Sequence, residues 1–307
     1  MARVVVTGGA GFVGSHVAEV FLERGDDVLV VDDLSTGSRD NVPEGATFEE
    51  LDIAERDALE DALGGGADLV CHLAAQASVT VSVEDPVRDC TSNVLGTLNV
   101  CEAARAHGAP VIFSSTGGAL YGDQAPRPTP EDFAPEPLSP YGASKLAGEA
   151  YVSTWARLYG TPNVVLRLGN VYGPRQSPHA EAGVAAIFSG RLLAGEAPEL
   201  RGSGAPTRDY VHVHDVARAF VAAAEAARSG TYNVGTGHET STARVLEILQ
   251  RAAGTELEPR ESALKSGELP ASALDSSRIE QELGWHATID VEEGLAQTLD
   301  WYRHGRR

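Results

Sequence analysis

RVVVTGGAGFVG, residues 3–14, is the stretch whose reading decides the fold. Three valines and a threonine make a short buried strand, and glycines at 8, 11 and 14 interrupt it before an apolar-periodic run starting at Phe12. The order is strand, tight turn, helix. Gly8 allows the sharp turn, Gly11 lets the backbone come close to a pyrophosphate, and Gly14 lets the helix pack on the strand. The helix N-terminus adds amide donors and a positive dipole. A second apolar strand, VLVVDD, ends in Asp32, eighteen residues past Gly14. A carboxylate there accepts hydrogen bonds from both ribose hydroxyls and repels a 2′-phosphate, so NAD rather than NADP is the expected cofactor.

Outward from this turn, strand and helix alternate from Val4 to Leu168, which predicts right-handed crossovers and a parallel sheet. The predicted strands are Val4–Thr7, Val28–Val31, Thr47–Leu51, Leu69–Leu73, Val111–Ser114 and Val164–Leu168. The helices between them are Phe12–Glu23, Asp57–Leu63, Val94–His107 and Tyr141–Tyr159, with a six-proline loop over Ala125–Pro140. This is an α/β, doubly wound parallel sheet of the Rossmann kind over residues 1–168. A smaller C-terminal α/β substrate domain follows over 169–307, with the segment near 209–235 returning to the first domain. Shorter elements are expected there: strands Tyr210–Val213 and Thr231–Val234, and helices Asp215–Ala227, Thr242–Ala253 and Val291–Tyr302.

Ligands of such sheets bind at the carboxyl ends of the strands, which directs attention to the loops after Thr7, Asp32, Leu51, Leu73 and Ser114. Asp52 and Ile53 could flank an adenine. Ala74 and Ala75 are small enough for a close backbone approach, and small residues at strand ends serve packing equally well.

The formal charge of −20 and pI near 4.8 leave no basic stripe to neutralise phosphates, which argues against a nucleic-acid partner. Cys71, Cys90 and Cys101 show no metal or redox spacing and read as buried thiols of a reducing compartment. With a strand already starting at Arg3 and no apolar run of about eighteen residues, a soluble, cytoplasmic protein without signal peptide or membrane span is expected. His212 and His214 alternate on an expected strand and point to opposite faces, so structure and capping are expected of both, and no metal site.

The reacting centre is expected at Tyr141 and Lys145. Four residues apart at the start of a helix, they share one face, so the ammonium can sit near the phenol oxygen. A nearby ammonium, together with the positive charge of an oxidised nicotinamide, favours the phenolate and makes a general base. Thr116, just past the strand ending at Ser114, is the natural third member, with Ser115 as the other candidate.

Taken together, TGGAGFVG, Asp32, LAAQASV, FSSTGGALYG, SPYGASK, GNVYGPRQ and TRDYVHVHDVA resemble the extended short-chain dehydrogenase/reductase family over nearly the whole chain. Within it they are most similar to the UDP-glucose 4-epimerases. The resemblance implies NAD contacts at Gly8, Gly11, Phe12, Val13, Gly14, Asp32, Asp33, Ser35, Thr36, Gly37, Asp52, Ile53, Leu73, Ala74, Ala75 and Asn93, besides Tyr141 and Lys145. It implies Thr116, Tyr141 and Lys145 as the catalytic triad. Sugar-nucleotide contacts are implied at Ser78, Thr116, Tyr141, Asn170, Gly183, Val184 and Arg208, the last being the cation suited to fork onto phosphate oxygens. Read alone, Arg208 would be taken for a surface partner of Asp209.

Two departures stand out. Where the family commonly has Arg-x-Gly-Asp, this chain has Lys265 to Glu268, which keeps the charge but loses the planar fork. Where epimerases restricted to plain hexoses carry a Tyr, it has Ser272, which leaves room beside carbon 2 of the sugar. The implied activity is 4-epimerisation of UDP-glucose and UDP-galactose through a 4-keto intermediate, extending to UDP-N-acetylhexosamines. Gly117 and Gly118 follow Thr116 where a sugar-nucleotide dehydratase needs an Asp-Glu pair, which favours an epimerase. A hexuronate 4-epimerase and a non-catalytic NAD-binding sensor are the other readings. A homodimer is implied, with the helix of Tyr141 and the helix Val94–His107 pairing across a two-fold axis.

Overall fold

A computed structural model describes residues 1–178, 183–264 and 269–305. The apolar runs form strands β1 (Arg3–Thr7), β2 (Asp27–Asp32), β3 (Thr47–Glu50), β4 (Leu69–His72), β5 (Val111–Thr116) and β6 (Val164–Leu168). The helices among them are α1 (Phe12–Glu23), α2 (Arg56–Ala62), α3 (Val79–Glu84), α4 (Pro86–Cys90), α5 (Gly96–Ala106) and α6 (Pro140–Tyr159). Further along lie β7 (Asn170–Tyr172), α7 (Val184–Leu193), β8 (Glu199–Arg201), β9 (Thr207–Arg208), β10 (Tyr210–His212) and α8 (Val213–Ala226). The chain continues through β11 (Gly230–Val234), β12 (Thr240–Ser241), α9 (Thr242–Ala253), β13 (Arg260–Ser262), α10 (Ser277–Leu283) and α11 (Val291–His304).

Seven strands pair in parallel in the order β11-β6-β5-β4-β1-β2-β3, a Rossmann-type sheet whose direction of winding reverses between β1 and β4. Alternate side chains serve opposite faces. Val4, Val6, Val28, Val30 and Leu166 pack with Phe21 of α1 and Phe220 of α8; Val5, Leu29, Val31, Val70, Phe113 and Val165 pack under α2, α5 and α6. The inner strands β1, β2, β4, β5 and β6 are buried on both faces, which is why they read as largely apolar runs, whereas the edge strand β3 is largely exposed. The seventh strand, β11, comes from beyond Leu168 and adds to the β6 edge. A separate apolar core gathers Phe188 and Leu192 of α7, Val245 and Leu249 of α9, and Leu295 and Leu299 of α11 around Tyr172 and Tyr210.

Several elements differ from the sequence reading. β5 runs to Thr116, so that residue ends the strand rather than following it. The long helix expected from Val94 is preceded by a π-helical turn, Thr91–Leu95, and starts at Gly96. α3 and α4 were not expected, being too short for a helical repeat to show. Caps define them instead: the Ser78 hydroxyl accepts the Val81 N–H, and the Asp85 carboxylate accepts the Arg88 N–H beside Pro86 at the first turn. Cys71 and Cys101 are buried, but Cys90 is exposed, because it closes α4 on its outer side. His214 stands in the first turn of α8, not on a strand, and the His212 imidazole accepts its N–H as a cap.

Candidate active site

The turn after β1 is held by the Gly8 N–H donating to the Val31 carbonyl and the Gly11 N–H donating to the Gly8 carbonyl. Gly8 has φ +72°, and a Cβ on it would collide with the backbone of Ala74; a Cβ on Gly14 would collide with the Gly8 carbonyl. Both positions therefore demand glycine, one for its conformation and one for helix-on-turn contact. Asp32 is 7 % exposed; its two oxygens accept the N–H groups of Ala10 and Leu34 at 3.0 and 2.9 Å. Burial raises its carboxyl above the ordinary value, against the pull of the Leu34, Ala10 and Gly11 amides. Gly37 lies against Asp32 and Ala10, where a Cβ would crowd both. Glycines pressed on a turn beside a buried carboxylate form a cradle that side chains would fill, and it fits NAD.

Around this cradle the cofactor candidates divide. Ala74 touches Gly8, and Leu73 donates its N–H to the Thr7 carbonyl. Ile53 is buried against Gly96, while Asp52 is exposed and accepts the Ala54 N–H. Phe12 stands edge-on to His16, and Val13 packs toward the core. Asp33 is turned outward, one oxygen taken by the N–H and hydroxyl of Ser35; Ser35 and Thr36 are exposed and Ala75 is half-buried. Asn93 is buried in the π-helical turn, accepting the Gln76 N–H at 2.8 Å.

Beside the cradle, α6 lies close on β5, since a Cβ on Gly148 would strike the Phe113 ring. Ser139 caps this helix by accepting the Gly142 N–H, with Pro140 at its first turn. The Thr116 hydroxyl lies beside the Tyr141 phenol and accepts the Ala119 N–H at 3.3 Å. Lys145, 4 % exposed, donates to the Ser114 carbonyl at 2.9 Å and lies over Phe113. Burial lowers its ammonium to about 8, with Asp89 and Glu149 opposing the fall. Burial pushes the Tyr141 phenol up to about 12; the Thr116 hydroxyl lowers it and Asp89 raises it. The expectation of a phenol lowered by Lys145 is thus not what the chain by itself displays, since desolvation dominates and the ammonium is committed to Ser114.

Ser115 points the other way. Its hydroxyl donates to Glu149 Oε1 at 2.5 Å, and Glu149 forms a buried ion pair with Arg167, N–O 2.7 Å. Arg167 also donates to the Tyr121 hydroxyl at 2.7 Å. Strand alternation therefore separates Thr116, facing Tyr141, from Ser115, held by Glu149. A charged residue in the apolar run VVLRL was a legible signal that a partner waited, and Glu149, one helical turn past Lys145, is that partner.

On the substrate side, Asn170 stands near Gly118, and its N–H donates to the Asp209 carbonyl. Asp209 is buried, accepting the N–H groups of Thr236, Gly237 and Leu274 and the Thr236 hydroxyl. It does not pair with Arg208, whose guanidinium donates to the Thr207 carbonyl and remains half-buried. Ser272 donates its N–H to that same carbonyl and lines a small cavity with Gly117, Gly118, Tyr121 and Arg127. Gly183 and Val184 begin α7, beside Gln176. The Ser78 hydroxyl is committed to its cap. Lys265 and Glu268 lie outside the described residues. Among the described residues no group of His, Cys, Asp and Glu is arranged to hold a metal, and no helix is long and apolar enough to cross a membrane.

The sequence profile of the NAD dependent epimerase/dehydratase family matches residues 4–235. A UDP-glucose 4-epimerase of Thermotoga maritima, solved with UDP-glucose, is 42 % identical with TM-score 0.95, covering 98 % of this chain and 99 % of that one. The Thermus thermophilus UDP-glucose 4-epimerase, solved with NAD, is 45 % identical with TM-score 0.93, covering 99 % and 100 %. A UDP-N-acetylglucosamine 4-epimerase of Methanobrevibacter ruminantium, in complex with UDP-N-acetylmuramic acid, is 32 % identical with TM-score 0.94, covering 99 % of each.

Proposed function

The chain belongs to the NAD dependent epimerase/dehydratase family, and on that premise we propose that it is an isomerase inverting carbon 4 of a UDP-sugar. Its substrates are UDP-glucose and UDP-galactose, and also UDP-N-acetylhexosamines. The observation that carries the reading is the Tyr141 phenol set beside the Thr116 hydroxyl at the carboxyl end of β5, with buried Lys145 one turn along the same helix. NAD, held by the Gly8–Gly14 turn and the Asp32 carboxylate, supplies a hydride acceptor that returns what it takes.

The chain's own groups do the rest. Thr116 hydrogen-bonds the 4-hydroxyl and aligns it with Tyr141, which removes its proton as the 4-keto sugar forms and restores it afterwards. Lys145 keeps a cation close to the phenol. Arg208, unmatched by Asp209, takes diphosphate oxygens in a planar fork, and Asn170, Gly183 and Val184 add contacts to the sugar nucleotide. Firm contacts to the diphosphate leave the hexose ring free to present either face.

Dehydration needs an added acid and base beside the keto sugar. Gly117 and Gly118 supply none, and both oxygens of Glu149 are held by Arg167. The short side chain of Ser272, next to Gly117 and Gly118, supports acceptance of a 2-acetamido group where a Tyr would stand in its way. Exposed Leu95, Tyr151, Leu158 and Tyr159 on α6 and the turn before α5 support a homodimer; a monomer mass by light scattering at micromolar concentration would reject it.

Tyr141→Phe tests the reaction. Turnover is expected to vanish while NAD stays bound, measured as cofactor released on denaturation; a variant with retained turnover takes Tyr141 out of the base role.

A further inference from the structure

Asp89 sits where no motif pointed. It lies on α4 at 1 % exposure, and its partners are neutral amides: Oδ1 accepts from Gln76 Nε2 at 2.8 Å and from Asn93 Nδ2 at 3.1 Å. Asn93 Nδ2 is also 3.0 Å from the Ser144 hydroxyl, which donates to the Tyr141 carbonyl at 3.0 Å. A path of hydrogen bonds thus leads from a buried carboxylate to the first turn of α6. Glu149, the other carboxylate acting on Lys145, has both oxygens bound by Arg167. Asp89 has no such cation among its hydrogen-bond partners.

We propose that Asp89 is a positioning residue for the Tyr141 and Lys145 pair: it fixes the turn carrying Tyr141 through Asn93 and Ser144, and it supplies the standing negative charge that Lys145 faces. The proposal rests on the reading of Tyr141 as base and Lys145 as its supporting cation. The groups facing Lys145 are Glu149 on its own helix, Asp89 on α4, the Ser114 carbonyl and Phe113 ring on β5, and His72 on β4. Tyr141 is faced by Thr116 and Asp89. A negative charge makes both the phenol and the ammonium hold their protons more tightly. Removing it lowers both, so the entire bell of activity against pH moves to the acid side.

The test is the pH dependence of kcat/KM in Asp89→Asn and Asp89→Glu, with UDP-glucose as substrate. Asparagine keeps the shape and the accepting oxygen but not the charge; both limbs are expected to move down by ~0.5 unit or more. Glutamate keeps the charge, and its limbs are expected at the wild-type positions even where the rate falls. Limbs unmoved in Asp89→Asn, with only a lower plateau, would reduce Asp89 to a structural residue. Limbs displaced in Asp89→Glu would overturn the charge account, and this arm decides alone if the asparagine variant does not fold. Retained turnover in Tyr141→Phe would sink the base reading instead, independently of either Asp89 variant.

Discussion

Replacing Glu149 by leucine strips Arg167 of its carboxylate at a site where both side chains are at most 8 % exposed. The guanidinium then keeps only the Tyr121 hydroxyl and the Glu131 carbonyl. Leaving one member of a buried pair uncompensated costs about 3–5 kcal/mol. Unfolding entropy of roughly 2.1 cal/mol/K per residue gives this 307-residue chain about 0.6 kcal/mol/K, so the loss corresponds to a fall in Tm of about 5–8 °C. Arg167→Met leaves the opposite charge stranded and is expected to fall by a similar amount.

The double variant is the informative one. With both charges gone the desolvation cost is gone too, and what remains is chiefly the orphaned Ser115 hydroxyl, about 1–2 kcal/mol or 2–3 °C. The assay is reversible thermal unfolding by circular dichroism across the four-member cycle. A double variant that falls by the sum of the singles would show no coupling, and would refute the account of α6 locked to β6 through this pair.

Two further outcomes follow from named groups. His72 is fully buried, its Nδ1 accepting from the Thr7 hydroxyl and its Nε2–H donating to Thr97, whose own hydroxyl donates to the Asn93 carbonyl. Burial lowers it to about 3. The native state thus refuses a proton that the unfolded chain accepts below about 6.5, so its share of stability is full above that pH and is lost as pH falls toward 3. The loss is about 2 kcal/mol by pH 5. Imidazole nitrogen resonances should stay neutral and Nε2-protonated at pH 5; a titration midpoint near 6.5 would contradict the chain of hydrogen bonds. Ser272→Tyr should cut turnover of UDP-N-acetylglucosamine at least tenfold relative to UDP-glucose, and an unchanged ratio would mean that the 2-substituent lies elsewhere.

Legibility in the sequence followed the range of the interactions. The turn at Gly8–Gly14 and the placing of Tyr141 and Lys145 one helical turn apart on α6 are encoded within one turn and one helix, where spacing alone sets geometry. The parallel sheet was legible because buried strands carry largely apolar runs. Asp89, Gln76 and Ser144 were not, since their meeting depends on α4, the π-helical turn and α6 coming together, and none carries a periodic signal. Thr116 and Ser115 could not be separated without the strand's end, which fixed their faces. Asp209 reads as an exposed neighbour of Arg208 until the fold turns it inward to four hydrogen bonds.

The most direct measurement is proton NMR of UDP-glucose and UDP-N-acetylglucosamine incubated with the purified protein in deuterated water, without added reductant. The account predicts the galacto epimers of both, with no deuterium in the sugar ring, because the hydrogen leaving carbon 4 is the one returned to it. Deuterium at carbon 5, or accumulation of a 4-keto-6-deoxy sugar, would contradict it and make the chain a dehydratase despite Gly117 and Gly118.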